Sequence, residues 1–377
     1  MSMRSSPKAG RQFSARRKKR APKRVQPVLR AKRRRTRKLA KAKHAKNSQP
    51  RIRALNIPDR PEYTEVWQIR GACPEEVPRL LEVFFAQLEP AARTQAQGAT
   101  LELLAARQLS PADILGAWQG SEAIGCVLAV PAPGRVGMLW LPRVKIGLPY
   151  ARPVQIALIR EALRHLRLRN CQLAQAVIHP RESQAEVLRQ AGLQYLTRLL
   201  FLRRALARAP AASPTADPVR TPGTSQSSHL VFLPLADVGR ELFAATLLRT
   251  YEGTHDCPEL GGVRHMEDIL ASHEAQGQFM PERWWLVTER SRPVGVLLVN
   301  AVPEWEAWEV VYMGIVPEAR GHGFGTLLMV KALTEAHAAG IPYLALSVDA
   351  RNHFALHIYE ELGFVPWEER DIYMTLL

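Results

Sequence analysis

Apolar positions along residues 308–376 change repeatedly between the runs typical of strands and the three-to-four-residue spacing of helices. The predicted elements of this stretch are a strand at 308–316, a helix at 325–339, a strand at 343–348, a short helix at 353–362 and a strand at 371–376. Gly340 directly follows the longer helix, where a glycine commonly ends one. Strands that alternate with helices in this way predict an α/β fold, in which helices flank a mixed sheet.

An earlier stretch repeats the same order of elements. Its predicted elements are a strand at 137–141, a helix at 156–168, a strand at 173–178, a helix at 184–190 and a strand at 195–202. Both stretches carry Pro-x-Ala-Arg before the longer helix, at 149–152 and 317–320, and an Ala-Leu pair within it, at 162–163 and 332–333. The repetition indicates an internal duplication, so we expect two tandem domains of the same architecture.

Composition indicates where these domains begin and end. Residues 205–228 are rich in Pro, Ala, Ser and Thr and lack apolar periodicity, which is typical of a linker. The predicted domains are therefore 62–204 and 229–377. Residues 1–53 hold 22 of the 52 Lys and Arg residues and no Asp or Glu, so we expect a disordered basic tail.

The basic tail accounts for the net charge of the chain, which is +17. The other residues carry 30 basic groups against all 35 acidic ones, a net charge of −5. A dense cationic tail favours contact with RNA, DNA or the ribosome, because it neutralises backbone phosphates. Two other interpretations stay open, namely a solubilising arm and a start codon placed too far upstream.

The cysteine and hydropathy patterns bear on location and metal content. The four cysteines are far apart and form no Cys-x-x-Cys pair, which argues against a zinc cluster or a disulfide framework and predicts a cytoplasmic protein. No run of about 18 apolar residues occurs, so we expect no membrane span. We predict no metal site.

A glycine-rich segment, Arg-Gly-His-Gly-Phe-Gly at 320–325, lies between a predicted strand and the longer predicted helix. Its three glycines let the backbone turn sharply and approach a ligand closely. The amide groups of such a turn, with the N-terminus of the helix behind them, form a cradle for phosphate oxygens. A tight turn without a ligand is the alternative interpretation.

Two motifs together resemble the signature of the GNAT superfamily of N-acetyltransferases. They are I-V-P-x-x-R-G-x-G-x-G at 315–325 and N-x-x-A-x-x-x-Y-x-x-L-G-F at 352–364. The resemblance covers residues 229–377, and the tandem arrangement resembles that of the mycothiol synthase family. It implies that acetyl-CoA is the co-substrate. The residues that it implies for acetyl-CoA binding are Ile315, Val316, Arg320, Gly321, His322, Gly323, Phe324, Gly325, Thr326 and Asn352.

The resemblance also implies three catalytic groups. The amide of Met313 would donate to the oxyanion formed from the thioester carbonyl, Tyr359 would protonate the departing thiolate, and Glu309 would take a proton from the amine. A phenol with a pKa of about 10 can protonate a thiolate whose thiol has a pKa of about 8.5. Strand periodicity predicts that Glu309 and Met313 share a face of the sheet. The alternatives are a tyrosine that packs on a helix face and a glutamate exposed at a sheet margin.

The acceptor pocket is expected in the segment 250–263, because members of the superfamily build it between their first two helices. Tyr251, Glu252 and Asp256 are the candidate substrate-binding residues, since carboxylates in this segment could hold an ammonium group. The alternative is an ordered loop whose carboxylates cap its turns. Residues 255–257 are His-Asp-Cys, and three consecutive residues cannot all point at one metal ion.

The first domain lacks the corresponding chemical groups. When the two Pro-x-Ala-Arg segments are aligned, Pro153, Gln155 and Ala157 take the places of the three glycines, and a proline and two side chains would obstruct a phosphate cradle. Arg181 and Leu188 take the places of the asparagine and the tyrosine of the second motif. We therefore expect a non-catalytic companion domain. Coenzyme A binding without turnover is the alternative.

The sequence as a whole predicts an N-acetyltransferase that transfers an acetyl group from acetyl-CoA directly to an amine. The alternative is an RNA- or ribosome-associated factor that uses the domain as a binding module. An intact base, acid and glycine-rich turn favour the enzyme, because a binding module needs no acid–base pair. The class of the amine acceptor, a small amine, an aminoglycoside-like sugar or a protein amine, stays open.

Overall fold

The structure, a computed structural model, describes residues 67–206 and 230–377. The predicted basic tail at 1–53 lies outside these residues, and so does the predicted linker apart from residues 205 and 206. We call the two described segments the first half and the second half.

Strands and helices follow the same order in the two halves. The first half contains β1 (Gln68–Gly71), α1 (Val77–Phe84), α2 (Pro90–Ala105), β2 (Ile114–Gln119), β3 (Glu122–Ala132), β4 (Val136–Leu139), β5 (Arg143–Val144), α3 (Ala151–Leu168), β6 (Leu173–Ile178), α4 (Ala185–Ala191) and β7 (Gln194–Ala205). The second half contains β8 (Leu230–Pro234), α5 (Leu235–Val238), α6 (Arg240–Thr250), α7 (Met266–Glu274), β9 (Trp284–Glu289), β10 (Arg292–Val302), β11 (Ala307–Ile315), α8 (Phe324–Ala338), β12 (Tyr343–Asp349), α9 (His353–Glu361) and β13 (Val365–Leu376). Only the short β5 and α5 lack a counterpart. The α/β fold of two tandem domains is therefore confirmed.

The strands of both halves join in one mixed sheet. Its order is β1-β2-β3-β4-β6-β13-β7-β12-β11-β10-β9-β8, and β5 pairs with β3 beside this path. The pairs β4–β6 and β11–β12 are parallel, and the other pairs are antiparallel. Each half thus contains one parallel pair, at the same place in its order of elements.

The centre of the sheet is built by an exchange of last strands. The last strand of the second half, β13, pairs with β6 of the first half. The last strand of the first half, β7, pairs with β12 of the second half. The two exchanged strands also pair with each other. Each half therefore completes the sheet of the other.

Helices cover both faces of the sheet in each half. In the second half, α8 and α9 bury one face, and α6 and α7 bury the opposite face around Trp284. The exchanged strands contribute to these cores, since Leu202 of β7 is buried in the second half and Tyr373 of β13 is buried in the first. The exchange is therefore secured by side-chain packing as well as by backbone hydrogen bonds.

The last strand is longer than the sequence predicts. It begins at Val365 rather than at residue 371, although Pro366 and the charged residues 368–370 argue against a strand. The register with β7 shifts between Pro366 and Glu368, so the pairing continues past the proline.

Helix α3 of the first half also begins before its predicted start. It starts at Ala151, directly within the Pro-x-Ala-Arg segment. Pro153, Gln155 and Ala157, which align with the three glycines of the second half, therefore lie inside a helix rather than in a turn. The first half has no glycine-rich turn at this place.

Candidate active site

A cleft opens in the second half where two parallel strands diverge. β11 and β12 pair from Ala307 and Tyr343 as far as Val310 and Leu346. Beyond that point the cleft begins, with a volume of about 640 Å³. Residues of both strands, of the turn before α8, of α9 and of the segment after α6 line it. The carboxyl ends of adjacent parallel strands are a common place for a ligand.

The glycine-rich turn forms one end of the cleft. Gly321 and Gly323 have φ angles of +80° and +77°, which a residue with a side chain adopts only under strain. A Cβ atom at either position would meet no other atom within 4 Å, so the space above both glycines is open. Helix α8 begins at Phe324, directly after the turn. Its free amide groups and its dipole favour an anion at this place.

Arg320 stabilises this turn by hydrogen bonds to backbone carbonyl groups. Its guanidinium donates hydrogen bonds to the carbonyl oxygens of Ile315, Gly253 and Thr250, at 3.0, 3.0 and 2.9 Å. These bonds join the end of β11 to the turn and to the segment after α6. Arg320 lines the cleft, but most of its donors are used within the protein.

Eight of the ten predicted acetyl-CoA-binding residues line the cleft, and Val316 and His322 do not. The side chain of Val316 is fully buried, and its amide donates to the carbonyl of Val294 at 3.0 Å. The Nδ1 atom of His322 lies 2.9 Å from the carbonyl oxygen of Arg320, within the turn. Val316 can therefore offer a ligand only its carbonyl, and His322 shapes the turn.

A β-bulge interrupts β11 beside the cleft. Leu298 of β10 lies opposite Tyr312, but the next residue, Val299, lies opposite Val310, so Val311 is the extra residue. The bulge bends the strand away from its neighbour, which is what separates β11 from β12. The edge of β11 that carries Met313 then faces the cleft.

The bulge changes which side chains share a face. Val311 and Tyr312, although consecutive, both pack in the core under α6 and α7, whereas Met313 packs in the core under α8. Glu309 lies opposite Asn300, whose side chain accepts a hydrogen bond from Trp284 in the core under α6. Glu309 therefore faces the side away from Met313. The expectation that the two share a face is wrong, because the bulge adds one residue to the alternation.

Glu309 is a partly buried carboxylic acid on the face of the sheet that α6 and α7 cover. Its backbone neighbours are Asn300 of β10 and Ala345 of β12. Burial raises the pKa of Glu309 to about 7. Its side chain does not line the cleft, although the next residue, Val310, does. Glu309 is therefore a carboxylate that titrates near neutral pH next to the cleft wall.

Tyr359 of α9 lines the cleft from the side opposite β11. Its side chain is 7% exposed, and its ring centroid lies 5.9 Å from that of Phe364. Burial raises the pKa of the Tyr359 phenol, and the nearby Asp256 carboxylate raises it further. Tyr359 is therefore a protonated donor at any physiological pH.

Asn352 lines the cleft at the beginning of α9. Its side-chain oxygen accepts a hydrogen bond from the amide of Ala355 at 3.2 Å, so it caps the helix that carries Tyr359. The same side chain thus orients the helix and presents its amide group to the cleft.

The three predicted acceptor residues lie in different places. Only Asp256 lines the cleft. The hydroxyl of Tyr251 is 3.0 Å from Nε2 of His273 in the core under α6, and Glu252 is exposed. One carboxylate oxygen of Asp256 accepts a hydrogen bond from the amide of Asp349 at 3.0 Å, and burial raises the pKa of Asp256. Asp256 is thus held in place and faces the same space as Tyr359.

Several cleft residues were not predicted from the sequence. They include Thr250, Tyr312, Ser347, Phe354 and His357. Ser347 could have been noticed as the one aliphatic hydroxyl in the apolar strand 343–348. Phe354 is 72% exposed, and its ring centroid lies 5.1 Å from that of His255 across the cleft mouth. In the sequence, the only sign of this contact is a phenylalanine in the first turn of the predicted helix 353–362.

Asp256, Cys257 and Asp349 place potential metal-ligand atoms within 4.8 Å of one another. Asp349, however, already pairs with Arg351, at 2.6 Å between Oδ2 and Nη2. A guanidinium in that position neutralises the charge that would attract a cation. These three residues therefore form a hydrogen-bonded junction.

The comparisons with known proteins concern the second half above all. Residues 248–364 match the model of the acetyltransferase (GNAT) family. Two similar curated proteins are mycothiol acetyltransferases, each 31% identical to this chain. That of Nocardiopsis dassonvillei aligns over 31% of this chain and 38% of its own length, and that of Streptomyces scabiei over 35% and 42%. The chain thus spans less than half the length of these curated relatives.

A solved structure is similar over both halves. The GCN5-related N-acetyltransferase from Sphaerobacter thermophilus superimposes with a TM-score of 0.50 and 16% identity. The superposition covers 83% of this chain and 96% of that one. At this identity the likeness concerns the fold, and it includes the first half.

Proposed function

We propose that this chain, in which residues 248–364 form a GNAT acetyltransferase domain, transfers an acetyl group from acetyl-CoA to an amine. One observation carries the proposal. The open glycine turn at the N-terminus of α8 and the phenol of Tyr359 face the same cleft, which begins where β11 leaves β12. An anion site, a free strand edge and a proton donor are what a pyrophosphate, a pantetheine arm and a leaving thiolate require.

The binding of acetyl-CoA would use backbone groups more than side chains. The amides of the turn 320–326 would hold the pyrophosphate, because α8 begins there and the glycines leave the space open. The edge of β11 from Met313 to Ile315, which has no partner in β12, would pair with the pantetheine arm. Asn352 would add an amide donor from α9.

The reaction would be a direct transfer. The lone pair of the amine nitrogen attacks the thioester carbonyl carbon, and the carbonyl oxygen takes a negative charge beside the amide of Met313. When the carbonyl double bond forms again, the C–S bond breaks and Tyr359 gives its proton to the thiolate sulfur. The proton lost by the amine would pass to Glu309 through water, because Glu309 does not itself line the cleft. Positioning the two reactants together supplies much of the acceleration.

Glu309 suits the task of a base because its pKa is about 7. At neutral pH a sizeable fraction is ionised and able to accept a proton, and the conjugate acid can release that proton afterwards. Asp256 would contact the ammonium form of the acceptor before it loses its proton. A carboxylate held in the cleft wall attracts a cation more strongly than one in open water.

The acceptor is proposed only as an amine. Because two similar proteins are mycothiol acetyltransferases, a mycothiol-related amine is one candidate. None of these relatives is named as an RNA- or ribosome-associated factor, so the alternative function receives no support from them. The predicted contact between residues 1–53 and nucleic acid concerns residues outside the described part of the chain. Among the described residues no helix is long and apolar enough to cross a membrane, and the cytoplasmic location stays a prediction.

The test is the release of coenzyme A thiol from acetyl-CoA in the presence of four kinds of amine. They are a cysteinyl amine related to mycothiol, an aminosugar, an alkyl diamine and a peptide with a free N-terminus. Release that depends on one class of amine supports the proposal. Tight binding of acetyl-CoA with no release above background for every class would contradict it.

Tyr359→Phe tests the proposed acid in the same assay. We expect acetyl-CoA affinity to stay the same and kcat to fall about 100- to 10,000-fold, because only the proton donor is removed. Tyr343→Phe is the matched control, since Tyr343 lies at the start of β12 and outside the cleft lining. A loss of only a few-fold in Tyr359→Phe would show that another group protonates the thiolate.

A further inference from the structure

Asp349, the last residue of β12, joins three separate parts of the chain. Its side chain is fully buried. It accepts hydrogen bonds from the hydroxyl of Thr197 in the first half at 2.7 Å, from the amide of Cys257 at 3.2 Å and from the guanidinium of Arg351 at 2.6 Å. Cys257 follows Asp256 directly in the segment after α6. The junction therefore links the first half, the end of β12 and the acceptor side of the cleft.

Asp349 also orients the carboxylate of Asp256. The amide of Asp349 donates to Oδ1 of Asp256 at 3.0 Å, while the side chain of Asp349 accepts from the next amide along that segment. Arg351 closes the arrangement, because it binds Glu259 of the same segment at 2.6 and 3.0 Å. Two hydrogen bonds and one bidentate ion pair thus fix residues 256–259 against the end of β12.

The charge of Asp349 depends on these partners. Burial alone would raise the pKa of Asp349, but hydrogen bonds from Arg351 and Thr197 together with the Arg351 charge outweigh it and lower the pKa. A buried carboxylate stays ionised only while its lone pairs are occupied. Removal of the Thr197 hydroxyl would leave part of this requirement unmet, and the side chain would turn toward its remaining donors.

The same segment rests on the first half through two further contacts. Cys257 and Leu260 pack against a small apolar core that contains Val136 of β4 and Leu173 of β6. Arg264 donates to the carbonyl of Gly134 at 2.9 Å. The segment that carries Asp256 thus packs against the first half, which lacks the glycine-rich turn.

We propose that Thr197 of the first half is a positioning residue for the acceptor amine. It acts indirectly: its hydroxyl orients Asp349, and Asp349 fixes the segment that carries Asp256. The inference rests on the proposed function in one respect, namely that Asp256 contacts the acceptor. It gives the first half a role in the reaction without a second active site. We expect acetyl-CoA affinity to depend little on Thr197, because the glycine-rich turn and α8, which would hold the pyrophosphate, have no hydrogen bond to Thr197 or Asp349 among the described contacts. Asn352 contacts this junction through its backbone amide, which donates to the carbonyl oxygen of Asp349 at 2.9 Å and does not involve the Asp349 side chain.

The experiment compares Thr197→Val, which keeps the shape of the side chain and removes the hydroxyl, with Thr197→Ser, which restores it. Thr375→Val is the matched control. Thr375 is fully buried in the exchanged strand β13, but its hydroxyl reaches only the carbonyl of Leu376, at 3.5 Å. The amine of the panel that turns over fastest is the probe for kinetics, and coenzyme A itself is the probe for calorimetry.

In Thr197→Val we expect KM for the amine to rise about tenfold, the effect of one hydrogen bond to a charged group. We expect kcat to change less and the Kd of coenzyme A to stay within about twofold. Thr197→Ser should return KM toward the wild-type value, and Thr375→Val should leave it unchanged. An equal fall of kcat in Thr197→Val and Thr375→Val with no change of KM would overturn the proposal, because it would indicate a general loss of packing.

Hydrogen exchange gives a readout that needs no turnover. The amides of Cys257 and Asp349 should exchange faster in Thr197→Val and at the wild-type rate in Thr375→Val, since both amides belong to the junction. Unchanged exchange at both amides would overturn the proposal even if the enzyme is active. If every amine fails, only the proposed function is refuted, and the exchange rates still decide whether Thr197 holds the segment. If Thr197→Val does not fold, Thr197→Ala, which cannot clash, takes its place.

Discussion

Glu309 combines a poor environment for a charge with a position directly before Val310, which lines the cleft. Burial holds its pKa at about 7, so the folded protein keeps a proton that an exposed glutamate would have lost near pH 4.5. A general base is most effective when its pKa lies near the working pH, because much of it is then ionised and it still binds a proton well. Because Glu309 is harder to ionise in the folded protein than in the unfolded chain, its ionisation lowers the free energy of unfolding at high pH.

That cost can be measured with Glu309→Gln. Between about pH 4.5 and 7 the unfolded chain loses the proton that the folded protein keeps, so the stability of the wild type should fall as pH rises. Gln cannot ionise, and the variant should therefore gain stability relative to the wild type, by roughly 3 kcal/mol at pH 8 and by little at pH 5. Urea unfolding at the two pH values measures the difference. Glu306→Gln, at an exposed glutamate in the preceding turn, should show no such dependence. Equal stabilities at pH 8 would mean that Glu309 has an ordinary pKa.

Sequence patterns identify residues such as Glu309 and Tyr359 but not the direction in which they point. Side chains of β11 do not alternate regularly between the two faces, because Val311 is an extra residue in the strand. No residue of β11 indicates this bulge in the sequence. Among the acceptor candidates, composition could not separate Asp256 from Glu252, because only the hydrogen bond from Asp349 turns one of them inward. The position of a carboxylate depends on a partner that lies far away in sequence.

At the scale of elements, the turn before α8 is defined by two glycines with positive φ, followed directly by the helix. The glycines satisfy two conditions at once, a backbone conformation that side chains avoid and an open approach to the amides of α8. The need for a positive φ can be separated from the need for a ligand site by experiment, because Gly340, just after the end of α8, also has a positive φ but does not line the cleft.

Gly323→Asp should abolish coenzyme A binding, because it adds a carboxylate where the pyrophosphate would lie. Gly340→Asp is the control for backbone strain. Gly340, just after the end of α8, has a φ angle of +70° and equally open surroundings, but it faces no cleft. Calorimetry should show one site per chain for the wild type and Gly340→Asp, and no site for Gly323→Asp. Equal affinities in the two variants, or two equal sites in the wild type, would contradict the assignment of the turn.

Seven of the ten elements predicted from apolar periodicity have bounds within two residues of those observed, and the exceptions have physical causes. Strand β6 agrees with the prediction at 173–178, because its short run is apolar apart from Gln175. The start of β13 could not be predicted, since Pro366 and three charged residues are tolerated only by a register shift against β7. Local sequence does not show which strand will be a neighbour.

At the scale of the whole molecule, each half depends on the other through the exchanged strands. All seven residues of β12 pair with β7, from Tyr343 with Ala205 to Asp349 with Leu199. The tandem order of elements could be predicted from the repeated pattern, whereas the exchange could not. The same strands paired within their own halves would have the same sequence periodicity.

The dependence predicts that the second half is not stable alone. A chain of residues 229–377 would leave the edge of β12 unpaired and would lack Leu202 in its core, so we expect it to aggregate and to bind no coenzyme A. Residues 54–377 should keep the fold and the activity of the full chain. Production of 54–206 and 229–377 together, as two chains, should restore a soluble complex. A soluble 229–377 with native thermal stability would show that the exchange is dispensable.

The exchange also reverses the order in which the halves are finished. A ribosome makes β6 long before β13, and at about 5–20 residues per second the stretch between Ile178 and Val365 takes roughly 10 to 40 s to synthesise. During that interval β6 is an open edge beside a growing chain, the kind of surface that recruits other nascent strands or a chaperone. The half that is translated first is thus completed only when β13, the last of the described strands, has been made.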